Sequence, residues 1–248
     1  MTRFLTIVAV LGLFAPTALT ADGLVLQLDY PGFTVWHDCE LGGPLATFYA
    51  PGPDTGDVDR EHHFHLDPDL PEGCRQQTST DPYPSPDYAF SYDRGHLVPA
   101  NHLDGDAEAI AASNVMTNIT PQQSSFNRTG AWRETERRIE CWREDRNIGI
   151  WIGVLWGDNQ SNDHVVHSHG IPTPDTFVKL VVGLDTGVAI AWKLENTRLR
   201  AGELDGLTIP PRLAAELLGP LIGTHQVIGT LPATSDPDDW PKLRCDQG

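Results

Sequence analysis

Two short runs near the N-terminus alternate or cluster apolar residues in the manner of strands. Leu24-Val25-Leu26-Gln27-Leu28-Asp29-Tyr30 and Phe33-Thr34-Val35-Trp36, parted by Pro31-Gly32, predict a strand pair, and Leu45 to Ala50 a third strand. From Pro51 to about Pro86 the chain is rich in Pro, Asp and His, which predicts a long irregular loop. Loops of that length in compact domains are usually functional or mobile. Tyr88 to Tyr92 predicts a short extended piece running into a tight turn at Asp93-Arg94-Gly95-His96. Ala107 to Ala112 predicts a short helix, and Asn118 to Asn127 a loop.

Farther on, Ala131 to about Arg146 predicts a helix, with Trp132, Ile139 and Trp142 among its apolar positions and Glu and Arg elsewhere. Ile148 to Trp156 is apolar almost throughout and predicts a buried strand. Thr176 to Leu184 and Val188 to Leu194 predict a hairpin around Asp185-Thr186-Gly187. Thr208 with Pro210 and Pro211 starts a last helix, which Gly219-Pro220 ends. Strands outnumber helices and no βαβ order repeats, so the fold class is α+β.

The first residues change the picture of where the protein works. Arg3 precedes an apolar run, Phe4 to Phe14, followed by Pro16 and small residues through Ala21. That arrangement predicts a signal peptide over residues 1–21, cleaved after Thr20 or Ala21. The expected product is a secreted or periplasmic protein without a membrane segment, formed by one domain over residues 22–248. Four cysteines, an even count in an exported chain, predict two disulfides. Three connectivities exist. Cys39–Cys74 is preferred because both residues lie in the N-terminal part, leaving Cys141–Cys245. No pair has zinc-ligand spacing.

Charge argues against the chemistry that the motifs suggest. Seventeen Lys+Arg face 34 Asp+Glu, a formal net charge of −17, whereas nucleic-acid binders usually carry a basic footprint. A local positive cleft, with a bound cation, would reconcile the two.

The motifs themselves are Asp93-Arg94-Gly95-His96, then Asn118-Ile119-Thr120-Pro121-Gln122, then Asn127. A histidine with an ordinary pKa is largely neutral near pH 7 and can take a proton from water. An asparagine amide oxygen can hold a hard divalent cation without adding negative charge beside a phosphate. Structural readings compete: His96 as a core histidine, Asn127 as the N-cap of the following helix, Glu136 as a partner of Arg133 or Arg137. Six arginines between Arg128 and Arg146 interleave with acids, the pattern of a salt-bridged helix face. His62-His63-Phe64-His65 and His164, His167, His169 have spacings that could bind zinc or copper, with solvated loop histidines the preferred reading.

Tyr92 to Ala100, Thr117 to Gln122, Asn127, Gly130-Ala131-Trp132 and Glu136 together resemble the DNA/RNA non-specific endonuclease family. The likeness is dense from Tyr92 to Arg138. It implies a ββα-metal (His-Me finger) fold, mostly antiparallel sheet with few helices, and an enzyme cutting DNA and RNA without base specificity to leave 5′-phosphate ends. It implies His96 as general base, Asn127 as ligand of Mg²⁺ (or Mn²⁺), and Glu136 as orienter of metal-bound water. Arg60 becomes the upstream phosphate-contacting arginine. Arg94, beside the base, is expected either to clamp phosphate or to pair internally with an acid, and Asn118 to hydrogen-bond across the site, holding the loop or a metal-bound water. Asp93 is expected to brace the turn. One spacing departs from the family: Asn127 to Glu136 is nine residues instead of eight. On a continuous helix eight residues leave two side chains roughly 80° apart and nine oppose them, so Thr129-Gly130 is expected to absorb the difference. Two other readings stay open, a degenerate scaffold that only binds and an exported small-nucleotide phosphodiesterase. The oligomeric state, a homodimer included, also stays open.

Overall fold

A computed structural model describes residues 18–20, 23–54, 58–60, 62–85, 91–219 and 231–240. Its centre is a seven-stranded sheet. Strands β1 (Ala18–Thr20), β2 (Gly23–Tyr30), β3 (Phe33–Asp38) and β4 (Gly43–Tyr49) follow one another in space. A separate hairpin comes next, made of β5 (Tyr92–His96) and β6 (Ile119–Gln123), with helix α1 (Ala107–Ser113) between them in sequence. Helices α2 (Ser124–Thr129) and α3 (Ala131–Asp145) lead back to the large sheet through β7 (Ile148–Leu155). A single turn, α4 (Val166–His169), then β8 (Thr176–Gly183), β9 (Ala189–Glu195) and α5 (Pro211–Leu218) complete the order. The large sheet runs β1-β2-β3-β4-β7-β8-β9, and every pairing in it is antiparallel.

Both faces of this sheet are covered, which accounts for the unbroken apolar run of β7. Ile148, Ile150, Ile152 and Val154 join a core with Trp132, Ile139 and Trp142 of α3. Trp151 points to the other layer, with Val178, Leu180 and the Ala214, Ala215 and Leu218 face of α5. The period of two along β7 therefore sorts its side chains between two helical layers. Among the described residues, no helix is long and apolar enough to cross a membrane.

The α+β class and the described elements outside the motifs stand where the sequence puts them, to within a few residues; residues 88–90 of the expected extended piece lie outside the described residues. The motif region differs. Asp93-Arg94-Gly95-His96 lies in a strand, not a tight turn, and the expected loop Asn118–Asn127 holds β6 and most of α2. Gly95 faces Thr120 across the hairpin, and a Cβ there would come within 2.2 Å of Gln122. Its bare Cα makes room for Gln122.

Cys39 and Cys74 form the expected disulfide. Cys141 is also disulfide-bonded; its expected partner, Cys245, lies outside the described residues. Most of the expected signal peptide lies outside them too, and Ala18–Thr20 pairs with β2 as an edge strand.

Candidate active site

The β5–β6 hairpin and α2 form a ββα unit on the flank of α3. Because β6 has no second strand neighbour among the described residues, buried side chains satisfy its outer edge. Asn196 accepts from the Gln123 amide at 2.8 Å and donates to the Pro121 carbonyl at 2.9 Å, and Gln77 donates to the Ile119 carbonyl at 2.8 Å. Proline is tolerated in such a strand, where no ladder bond is asked of its nitrogen.

His96 ends β5 and is buried. Its Nε2 stands 3.0 Å from Asn114 Oδ1. An amide oxygen only accepts, so Nε2 carries the proton and Nδ1 keeps its lone pair. Burial pushes the imidazole down to about 4, and the cationic Arg60 and Arg94 push the same way. The neutral form, able to accept a proton, is therefore held at neutral pH. Asn114, in the turn after α1, has no motif of its own and was not singled out in the sequence; only its contact reveals it.

Phe64 packs against this ring, with centroids 5.4 Å apart, and against the Arg94 guanidinium, which lies 3.9 Å from the Phe64 centroid. Arg94 also donates to the Thr80 carbonyl. Cation–π contact and hydrogen bond fix the guanidinium beside the histidine.

Asn127 is inside α2 and does not cap α3. Its Nδ2 donates to Asp93 Oδ2 at 3.0 Å, so its oxygen is the atom left for other partners. Asp93 also accepts from Ser124 Oγ at 3.0 Å and from Arg128 Nε at 2.8 Å. It braces, as expected, but what it braces is α2. Helix α2 stops at Gly130, whose backbone is extended, and α3 begins at Ala131. A Cβ on Gly130 would lie 2.3 Å from the Leu199 carbonyl. This break absorbs the extra residue, and Asn127 and Glu136 line the same cleft.

That cleft, of about 470 Å³, brings together Arg60, Arg94, His96, Asn127 and Glu136 with Arg128 and Arg133. Glu136 is buried and lies 3.5 Å from Arg133. Asn118 is the exception among the expected site residues. Its oxygen accepts from the Val98 amide at 3.0 Å, and its nitrogen donates to the Val98 and Ser113 carbonyls at 3.0 and 2.8 Å. With those atoms all engaged by backbone, it clamps the segment after His96 and does not line the cleft.

The six arginines of the 128–146 region divide cleanly. Arg137 and Arg138 pair with Glu134, and Arg138 also with Asp205. Arg146 donates to the Asp239 carbonyl. Arg143, 1% exposed, sits among Asp54, Asp104 and Glu140. Only Arg128 and Arg133 of the six line the cleft. The carboxylates of Asp54, Asp104 and Glu140 lie close enough to hold a metal ion, but the buried guanidinium already answers their charge. Among the described residues neither histidine cluster converges on a shared ligand position; His169 bonds the Asp81 carbonyl and Ser168.

A divalent cation would find oxygen donors in the cleft, the Asn127 amide and the Glu136 carboxylate, and no thiolate. So sparse a hard donor set fits Mg²⁺, which keeps much of its water.

The sequence profile of the DNA/RNA non-specific endonuclease family matches residues 13–209. A protein named Nuclease from Nostoc sp. is 31% identical over 147 residues, 59% of this chain and 50% of that protein. Nuclease EXOG, mitochondrial, from Mus musculus is 29% identical over 140 residues, 51% of this chain and 35% of its own length. The chain thus spans half or less of these relatives. A chain in the crystal structure of the EndoG/EndoGI complex superposes with a TM-score of 0.61 at 19% identity, over 78% of this chain and 83% of that one. The ββα-metal fold is shared with it.

Proposed function

Since the chain belongs to the DNA/RNA non-specific endonuclease family, we propose that it is a secreted or periplasmic, Mg²⁺-dependent endonuclease cutting DNA and RNA to leave 5′-phosphate ends. The observation that carries the reading is the content of the cleft: four arginines, one carboxylate, the carboxamides of Asn101 and Asn127, and a neutral imidazole. Four guanidinium charges exceed the carboxylates of Glu136 and of Asp93, which pairs with Arg128, and leave a local positive field despite the net charge of −17.

His96 Nδ1 takes a proton from water as the water oxygen attacks phosphorus. The bond from phosphorus to the 3′-oxygen breaks, and that oxygen leaves with a proton from solvent. Arg60, Arg94, Arg128 and Arg133 surround the phosphate and stabilise the charge that builds on its oxygens. Asn127, oriented by Asp93, and Glu136 are the residues that would hold Mg²⁺ or Mn²⁺ and its water. The ion supplies Lewis-acid charge to the phosphate and the departing oxygen. Asn114 and Asn118 are positioning residues, the first for the histidine tautomer and the second for the segment behind it. Base specificity has no source here, because the arginines address phosphate. The disulfide between Cys39 and Cys74 suits an oxidising compartment.

The test uses plasmid DNA, RNA and a chromogenic phosphodiester, each with Mg²⁺ and with EDTA. Cleavage of both polymers with Mg²⁺, abolished by EDTA, is expected. Turnover of the chromogenic diester with neither polymer cut would replace the reading with a small-molecule phosphodiesterase. Binding without any turnover would make the protein a degenerate scaffold.

A further inference from the structure

A second cavity, of about 520 Å³, adjoins the cleft and shares a wall with it made of Phe64, Arg94, Asn127 and Arg128. Its chemistry is different. Apart from the shared wall it has no cation among the described residues; Pro82, Tyr83, Ser85, Ser91 and Tyr92 line it, together with the Asp93 carboxylate, which is already bonded to Ser124, Asn127 and Arg128. Its hydroxyls form a chain: Ser85 Oγ donates to Ser91 Oγ at 3.2 Å, Ser91 meets Ser124 at 2.9 Å, and Ser124 donates to Asp93 at 3.0 Å. Asp93 in turn holds Asn127 and Arg128.

From this gradient we infer that the second cavity is a nucleoside subsite, taking the sugar and base of the nucleotide next to the scissile phosphate. The inference rests on the nuclease reading and extends it. A phosphate is drawn to the four arginines of the first cavity and to the shared wall. Beyond that wall, hydroxyls, the edges of Pro82 and Tyr92 and a carboxylate already engaged by Arg128 offer what a sugar and a base face require: hydrogen-bonding groups that do not compete for the phosphate, beside apolar surface. Arg128, with 69% of its side chain exposed, stands at the boundary and can follow the backbone from one cavity to the next. The serine chain ends on the carboxylate that orients Asn127.

Ser85→Trp fills the second cavity from its exposed far side and touches nothing assigned to the reaction; Ser85→Ala keeps the space. Two measurements decide. In EDTA, where no cleavage occurs, anisotropy of a labelled hexathymidylate is expected to show at least fivefold weaker binding to Ser85→Trp, with Ser85→Ala, which loses one lining hydroxyl and keeps the space, within about twofold of the unsubstituted protein. With Mg²⁺, hydrolysis of bis(p-nitrophenyl) phosphate, which has no nucleoside, is expected to be the same in all three. Equal hexathymidylate binding by Ser85→Trp, or none by the unsubstituted protein, overturns the subsite. A loss on both substrates also overturns it, because the substitution would then act on the centre itself. Should Ser85→Trp fail to fold, Pro82→Trp blocks the same cavity and is held to the same outcomes. Absent hydrolysis of any substrate by the unsubstituted protein defeats the nuclease reading, while the EDTA measurement still decides the subsite.

Discussion

At the scale of single residues, the His96 imidazole is held neutral at neutral pH, with the Nδ1 lone pair left to accept a proton. Removing a positioned base costs about 10² to 10⁴ in rate, so His96→Ala is expected to lose that much kcat/KM on plasmid DNA while its melting transition remains. Burial and two neighbouring arginines hold the imidazole down to about 4 from an ordinary 6.5. The acid limb of kcat/KM for the free enzyme is therefore expected near pH 4, with no inflection at 6.5; a midpoint at 6.5 in initial-rate profiles would show that the base is solvated. The same shift carries a stability consequence of definite sign. The unfolded chain binds a proton near 6.5 and the folded chain only near 4, so this residue's contribution is intact above 6.5 and declines as pH falls toward 4. His96 was legible because it sits in a contiguous motif. Asn114, which sets its tautomer from 18 residues away, was not, because a contact made only by folding leaves no spacing to read.

The elements show why some segments could be read and the motif hairpin could not. The strands of the large sheet and helix α3 bury apolar stripes, so period two and period 3.6 stand out. In β6, Ile119-Thr120-Pro121-Gln122-Gln123 is buried throughout although four of its five residues are not aliphatic. Its backbone groups are met by Gln77, Asn196 and the partner strand rather than by water. A strand whose burial is polar on both faces has no hydrophobic period, and Thr-Pro-Gln reads as loop chemistry. The hairpin instead depends on local fit. A Cβ on Gly95 would meet Gln122 at 2.2 Å, and forcing atoms into a packed site costs about 1–3 kcal/mol. Gly95→Ala is expected to lower the urea midpoint accordingly and to reduce activity by displacing His96. A paired Gly95→Ala, Gln122→Ala variant is expected to regain part of that stability.

Over the whole molecule, two features extend beyond the cleft. The Cys39–Cys74 disulfide closes a loop of 35 residues in sequence that ties β3 to the segment carrying Gln77 and Thr80, the partners of β6 and Arg94. A loop of that size is worth about 2–4 kcal/mol, so the Cys39→Ala, Cys74→Ala pair is expected to lose that amount in denaturant unfolding. The second feature is the contrast between a net charge of −17 and a cleft with four arginines. These make opposite predictions for salt. If the global charge governed encounter with a polyanion, screening would relieve repulsion and added salt would strengthen binding. If the arginines govern, each phosphate they neutralise releases counterions, and binding weakens with salt. For a single strand the logarithmic slope is about −0.7 per phosphate neutralised, so four arginines set a limit of about −3. Screening of the distant acidic surface works against this and makes the measured slope shallower than that limit. Titrating a labelled single strand in EDTA from low to physiological salt reads the sign directly. A negative slope shallower than about −3 is expected, and a positive one would mean that the cleft does not hold the phosphates.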